Sequence, residues 1–107
     1  SKAKRTIQTF EFFRSNGLFL NNKFSVEDDL YDFHGNKVLN FIKNIDNSLS
    51  KILIFTHNNT CNNLVRKLSN QFYQVPTTGI LIFEFNVSLW RDISNCNLSH
   101  YFPKDFR

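Results

Sequence analysis

The residues best suited to chemistry lie around His57. Lys51-Ile52-Leu53-Ile54-Phe55-Thr56 reads as a short buried strand, and His57 follows at once. Asn58-Asn59-Thr60 then open an amphipathic helix with Cys61, Leu64, Val65 and Leu68 on one face. A buried parallel strand that ends in a polar side chain and turns into a helix start is where open α/β sheets place ligand chemistry. The free N–H groups of such a helix's first turn attract anions. An imidazole at that corner can bind, protonate or stabilise a phosphate. The plainer reading of His57 is a structural histidine hydrogen-bonded at a strand end.

Other reactive types carry less. Arg5 falls in the first turn of a helix, where the macrodipole disfavours a cation; a phosphate pocket explains that placement better than a solvated side chain does. Cys61 could be a thiolate activated near a helix N-terminus, but its place on the apolar stripe reads as a buried structural thiol. His57 and Cys61 have the spacing of a helical metal pair, yet no third ligand is evident, so no metal site is expected. Asp28 and Asp29 could include a general acid and read more simply as a solvated junction. Thr77 and Thr78 can offer a ligand hydroxyls or backbone N–H groups, or serve as ordinary turn residues.

These residues need elements to hold them. Residues 1–16 read as a helix, with Ser1 as a candidate N-cap, Gly17 at C′ and Ala3, Ile7, Phe10 and Phe13 on one face. Leu18 to Val26 reads as a loop and short strand, turned at Asn21-Asn22. His34 to Ile45 is a second helix with Val38, Phe41, Ile42 and Ile45 as its stripe. After the helix over 59–70, Pro76-Thr77-Thr78-Gly79 makes a turn into a strand over Ile80–Val87. A loop with Trp90 and a last short strand over Asn97–Phe102, stopped by Pro103, complete the chain. The alternation of helices and strands indicates an α/β domain, with a parallel part and at least one hairpin at the C-terminal end.

Composition narrows the function classes. A hydrophobic content of 41% indicates a packed core, to which we assign most of the 13 phenylalanines. The net charge of +4 is spread without a block of like charge, which argues against a nucleic-acid surface and suits a phosphorylated or acidic partner. No apolar run reaches the ~18 residues of a membrane span. Two cysteines are too few for a disulfide scaffold and point to a reducing, cytoplasmic setting. The chain has no methionine and begins in mid-pattern, as expected if processing removed the start or if this is a piece of a longer protein.

Five stretches, in order, resemble one family. Ser1-Lys2-Ala3-Lys4-Arg5-Thr6-Ile7-Gln8-Thr9 is similar to the Ser-Pro-x-x-Arg-Ala-x-Gln-Thr motif of the histidine phosphatases, the superfamily of the cofactor-dependent phosphoglycerate mutases. Asp29-Leu30-Tyr31 resembles its acidic-Leu-Tyr junction, and Ile54-Phe55-Thr56-His57-Asn58 its second-histidine motif. Val75-Pro76-Thr77-Thr78-Gly79-Ile80 and Pro103-Lys104-Asp105-Phe106 resemble the Pro-Thr-Ala-Gly turn and C-terminal Pro-Lys-Asp-Leu of the small SixA-type phosphohistidine phosphatases.

The resemblance implies a three-layer α/β sandwich with a mostly parallel sheet and helices on both faces, incomplete at its N-terminus, with residues 1–107 as a single partial domain. It implies a phosphatase acting on a phosphohistidine or phosphomonoester through a phosphohistidine intermediate, with no cofactor. Arg5 matches the family's second phosphate-binding arginine and His57 its second histidine; Asn58 and Thr78 complete the expected phosphate site. A guanidinium grips two phosphate oxygens at once, and an imidazole beside it stabilises the charge that spreads in the transition state. The Arg-His-Gly motif with the nucleophile does not occur in this chain. The chain therefore matches the C-terminal two-thirds of such a domain and is expected to be inactive alone. The alternative is a non-catalytic phosphate-binding or interaction module that has lost the nucleophile.

Overall fold

A computed structural model describes residues 1, 3–17 and 24–106. Its helices are α1 (Lys4–Ser15), α2 (Asn36–Lys43) and α3 (Asn58–Ser69), and its strands are β1 (Ile80–Glu84) and β2 (Asn97–Tyr101). Single turns of 3₁₀ helix lie at Asp28–Leu30, Trp90–Asp92 and Pro103–Phe106.

Each helix forms where an apolar face can be buried. In α1 that face is Thr6, Phe10 and Phe13: Thr6 is buried, and the two rings meet Phe55 at 5.5 and 5.9 Å between centroids. The N-cap is Ala3 rather than Ser1, and the helix closes through Gly17 at φ 90°, where a C′ glycine was expected. In α2, Val38 and Ile42 are buried; in α3, Thr60, Leu64, Val65 and Leu68 are. The helix α2 is shorter than the expected span of 34–45. Gly35 sits at φ 86° and closes off its start, while Asn44 folds back to donate through Nδ2 to the Asn40 carbonyl at its end. Gly35 also lies against α3, where an added Cβ would come within 3.3 Å of Asn63 Cβ. Leu30, Val38, Ile42, Leu64, Leu68 and Ile93 form one cluster, with Ile52, Ile54, Phe83, Phe85 and Trp90 packed against it.

The expected three-layer sandwich with a mostly parallel sheet is not what forms. Among the described residues the sheet is two-stranded and antiparallel, with β1 against β2. Segment 51–56 enters no ladder there. It keeps the side-chain alternation of a strand, since Ile52 and Ile54 pack on the core while Leu53 is 61% exposed. A parallel ladder requires a second strand alongside; β1 takes β2 instead, because the chain over 85–96 doubles back. The hairpin expected at the C-terminal end is thus present and the parallel part is absent. Register sets Ile80 opposite Tyr101, Leu81 opposite His100 and Phe83 opposite Leu98. The strand ends at Glu84, short of the expected Val87, and alternates throughout. Residues 24–27 form no strand, and the rest of the element expected over 18–26, with its Asn21-Asn22 turn, lies outside the described residues.

Candidate functional site

His57 is the N-cap of α3, with extended backbone (φ −106°, ψ 155°), and Cys61 N–H donates to its carbonyl at 3.0 Å. Two anchors set the approach to it. Thr56 Oγ1 donates to the Leu30 carbonyl at 2.8 Å, and the Ser1 amine donates to the Phe55 carbonyl at 3.0 Å. His57 Nε2 lies 3.1 Å from Ser1 Oγ, and Ser1 Oγ accepts the Ala3 N–H at 3.2 Å. One hydroxyl oxygen therefore joins the imidazole of α3's cap to the cap residue of α1. Neither helix has a side-chain cap from its N-cap residue, and neither carries an acidic residue in its first turn. The first turn of α1 holds Lys4 and Arg5, both exposed. The corner thus brings the starts of α1 and α3 together through Ser1, with Glu27 the acidic residue whose charge reaches the Ser1 amine. Burial pushes the His57 pKa below its ordinary value, so the ring is neutral at pH 7. A neutral imidazole has one donor and one acceptor nitrogen.

Tyr31 and Phe33 wall the imidazole. Both rings meet it edge-on, at centroid distances of 4.9 and 5.3 Å, and lie 5.3 Å from each other. They hold these places because α3 grips the backbone between them. Thr60 Oγ1 donates to the Asp32 carbonyl at 2.6 Å, and Asn63 Nδ2 donates to the Phe33 carbonyl at 2.7 Å. The Asp32 carboxylate in turn accepts the N–H groups of Lys37 at 2.7 Å and His34 at 3.3 Å. Its pKa is lowered: burial, the largest single effect, acts upward, and the backbone N–H bonds, Lys37's foremost, together outweigh it. Sequence reasoning quoted Tyr31 only within a junction and passed over Phe33. The available signal was Asp-x-x-Gly before a helical stripe, an Asx turn that fixes the two flanking aromatics.

Arg5 and Thr78 come together elsewhere. They line an open groove of about 480 Å³ between the Gln8, Thr9, Phe12 and Phe13 side of α1 and the turn at Thr77-Thr78. Neither His57 nor Asn58 is among its lining residues. The expected phosphate residues therefore fall in two places on α1's N-terminal half, His57 with Asn58 at its start and Arg5 with Thr78 along one side. Thr78 is the turn residue with positive φ, at 63°, and Gly79 N–H donates to the Pro76 carbonyl at 3.0 Å.

The remaining candidates have structural surroundings. Burial pushes the Cys61 thiol up to about 11, away from thiolate chemistry. Asp28 and Asp29 are exposed in their 3₁₀ turn. Trp90 donates through Nε1 to the Leu49 carbonyl at 2.7 Å. His100 is stacked on Phe102 at 4.5 Å, and His34 is exposed. Among the described residues, no group of three or more His, Cys, Asp or Glu side chains is placed to hold a metal, and no helix is long and apolar enough to cross a membrane. Comparison with protein-family models, with curated proteins and with solved structures finds no match for this chain.

Proposed function

We propose that this chain supplies the phosphate-holding part of a phosphatase of the histidine phosphatase type, with His57 and the facing helix starts receiving the phosphoryl oxygens and Arg5 adding charge from α1. The observation that carries the reading is the shared hydroxyl. Ser1 Oγ accepts the Ala3 N–H and lies 3.1 Å from His57 Nε2, which is the environment a phosphoryl oxygen would seek. A phosphate entering there replaces a neutral acceptor by an anionic one, and hydrogen bonds to charged groups are about twice as strong. Anion binding also favours the protonated imidazole, which then donates from both nitrogens.

Titration of inorganic phosphate into the chain, followed by calorimetry, tests this. A hydrogen bond to a charged group contributes ~1.5–3 kcal/mol, so His57→Ala is expected to weaken binding roughly ten- to a hundredfold. Arg5→Ala is expected to weaken it as well. Unchanged affinity in both variants overturns the reading. A second reading, phosphate binding without turnover, is favoured by the hydroxyl lying on Nε2, which leaves that nitrogen engaged before any ligand arrives. Phosphomonoester hydrolysis by the full-length protein separates the two: binding without hydrolysis supports the second reading.

A further inference from the structure

We infer that the His57 site takes an aryl phosphate, whose aromatic group seats on Tyr31 and Phe33. The inference rests on the phosphate reading above and names its ligand class. Tyr31, Phe33 and His57 are in mutual contact, with centroid separations of 4.9, 5.3 and 5.3 Å. Yet Tyr31 is 47% and Phe33 45% exposed, so each keeps a large part of its ring open beside the imidazole. The rings are not loose surface groups. The carbonyls of Asp32 and Phe33 are both fastened to α3, by Thr60 and Asn63, and the Asp32 carboxylate clamps the turn that follows. Exposed apolar surface whose backbone is already fastened against a polar site is ready to bind, because less ordering remains to be done when a ligand arrives. In an aryl phosphate a single ester oxygen separates the ring from phosphorus. A phosphoryl group on the imidazole therefore delivers its ring to the two aromatics. Aromatic rings prefer tilted or edge-to-face partners, the arrangement these three residues already adopt among themselves. A saturated ring of the same size has no such preference.

The test titrates phenyl phosphate, cyclohexyl phosphate and inorganic phosphate into the chain. Phenyl phosphate is expected to bind roughly three- to tenfold more tightly than cyclohexyl phosphate, the range that one aromatic pair supplies. Phe33→Leu and Tyr31→Leu, which keep apolar bulk and remove the ring, are each expected to bring that ratio toward one, with folding verified by circular dichroism. A ratio of one in the unsubstituted chain, with inorganic phosphate still binding, overturns the aryl inference alone. A ratio that survives both substitutions also overturns it. Failure of inorganic phosphate to bind strikes the phosphate reading, and the aryl inference falls with it. An aryl phosphate on a tyrosine side chain shares this chemistry with a free one. A phosphotyrosyl peptide titrated beside phenyl phosphate shows which source the site prefers, and either preference supports the inference.

Discussion

Replacing Thr60 by valine removes one hydroxyl and changes almost nothing else in shape. Thr60 is fully buried, and its Oγ1 donates to the Asp32 carbonyl at 2.6 Å. The bond joins α3 to the segment that carries Tyr31 and Phe33. Valine keeps the volume and leaves that carbonyl without its donor, a loss of about 1–3 kcal/mol. Asp32 is partly exposed, so water can recover some of the bond and the lower half of that range is expected. In a chain of 107 residues, each kcal/mol moves Tm by roughly 4 °C. Thr60→Ser provides the contrast. It keeps the hydroxyl and deletes one buried methyl, at a cost of about 1 kcal/mol. Urea denaturation with an unchanged m-value measures both. If the contact acts through its hydrogen bond, the valine variant is the less stable of the two and also loses discrimination between phenyl and cyclohexyl phosphate, because the two rings are no longer held. A valine variant as stable as the unsubstituted chain, or a serine variant less stable than the valine one, refutes the reasoning: Thr60 would then act through packing alone.

Other perturbations have equally definite outcomes. Burial raises the Cys61 pKa from 9.0 to about 11, so thiol alkylation at pH 8 is expected to be slow in the folded chain and fast in urea. The stability tied to the protonated thiol is complete below about pH 9 and is lost as pH rises toward 11, by at most about 3 kcal/mol. His57 has the opposite sign: its folded pKa lies below 6.5, so its contribution is complete above that pH and is lost as pH falls through the lowered value. His57→Gln should flatten the dependence, as followed by thermal melts across pH 5 to 7. Binding an anion raises the same pKa, so phosphate titrations near pH 6.5 in buffers of different ionisation enthalpy should show more proton uptake by the unsubstituted chain than by His57→Gln, the difference being the imidazole's share beside the phosphate's own titration. Gly35→Ala forces a side chain into a left-handed conformation at φ 86° and to within 3.3 Å of Asn63 Cβ; about 1–2 kcal/mol of destabilisation is expected, measured by denaturant midpoint.

The helices were legible in the sequence because their signals are local. The stripe of Leu64, Val65 and Leu68 after Asn58-Asn59-Thr60 specifies both the existence of α3 and its start, and Gly17 marks the end of α1 within a residue or two. The error over 51–56 is of another kind. Ile52 and Ile54 go inward and Leu53 outward as a strand requires, so the side-chain pattern was read correctly. What the pattern does not contain is the neighbour: a ladder is a property of two segments, and apolar alternation is the same beside a parallel partner, an antiparallel partner or none among the described residues. The Asp32 clamp was missed for a related reason. The donors that fasten its backbone, Thr60 and Asn63, come from α3, far along the chain, and only the Asx turn onto His34 and Lys37 is local enough to be read.

The loss of the parallel sheet bears unequally on the site. Strand-end sites in open sheets depend on a crevice between neighbouring strands, and with β1 and β2 paired antiparallel that support for a ligand site is gone. The fields of helix ends act within about one turn, so they depend only on where each helix begins. His57 at the cap of α3 and Ala3 at the cap of α1 meet through one hydroxyl, and that contact involves neither β1 nor β2. The separation of Arg5 and Thr78 from His57 has a consequence for affinity. A guanidinium beyond hydrogen-bond reach acts through solvent, where salt screens it over about 8–10 Å, while the imidazole contact is short. Raising ionic strength should therefore erase most of the effect of Arg5→Ala on phosphate binding and leave most of the effect of His57→Ala. Equal salt sensitivity of the two would mean that Arg5 reaches the same oxygens directly when phosphate is bound, and that α1 shifts to let it do so.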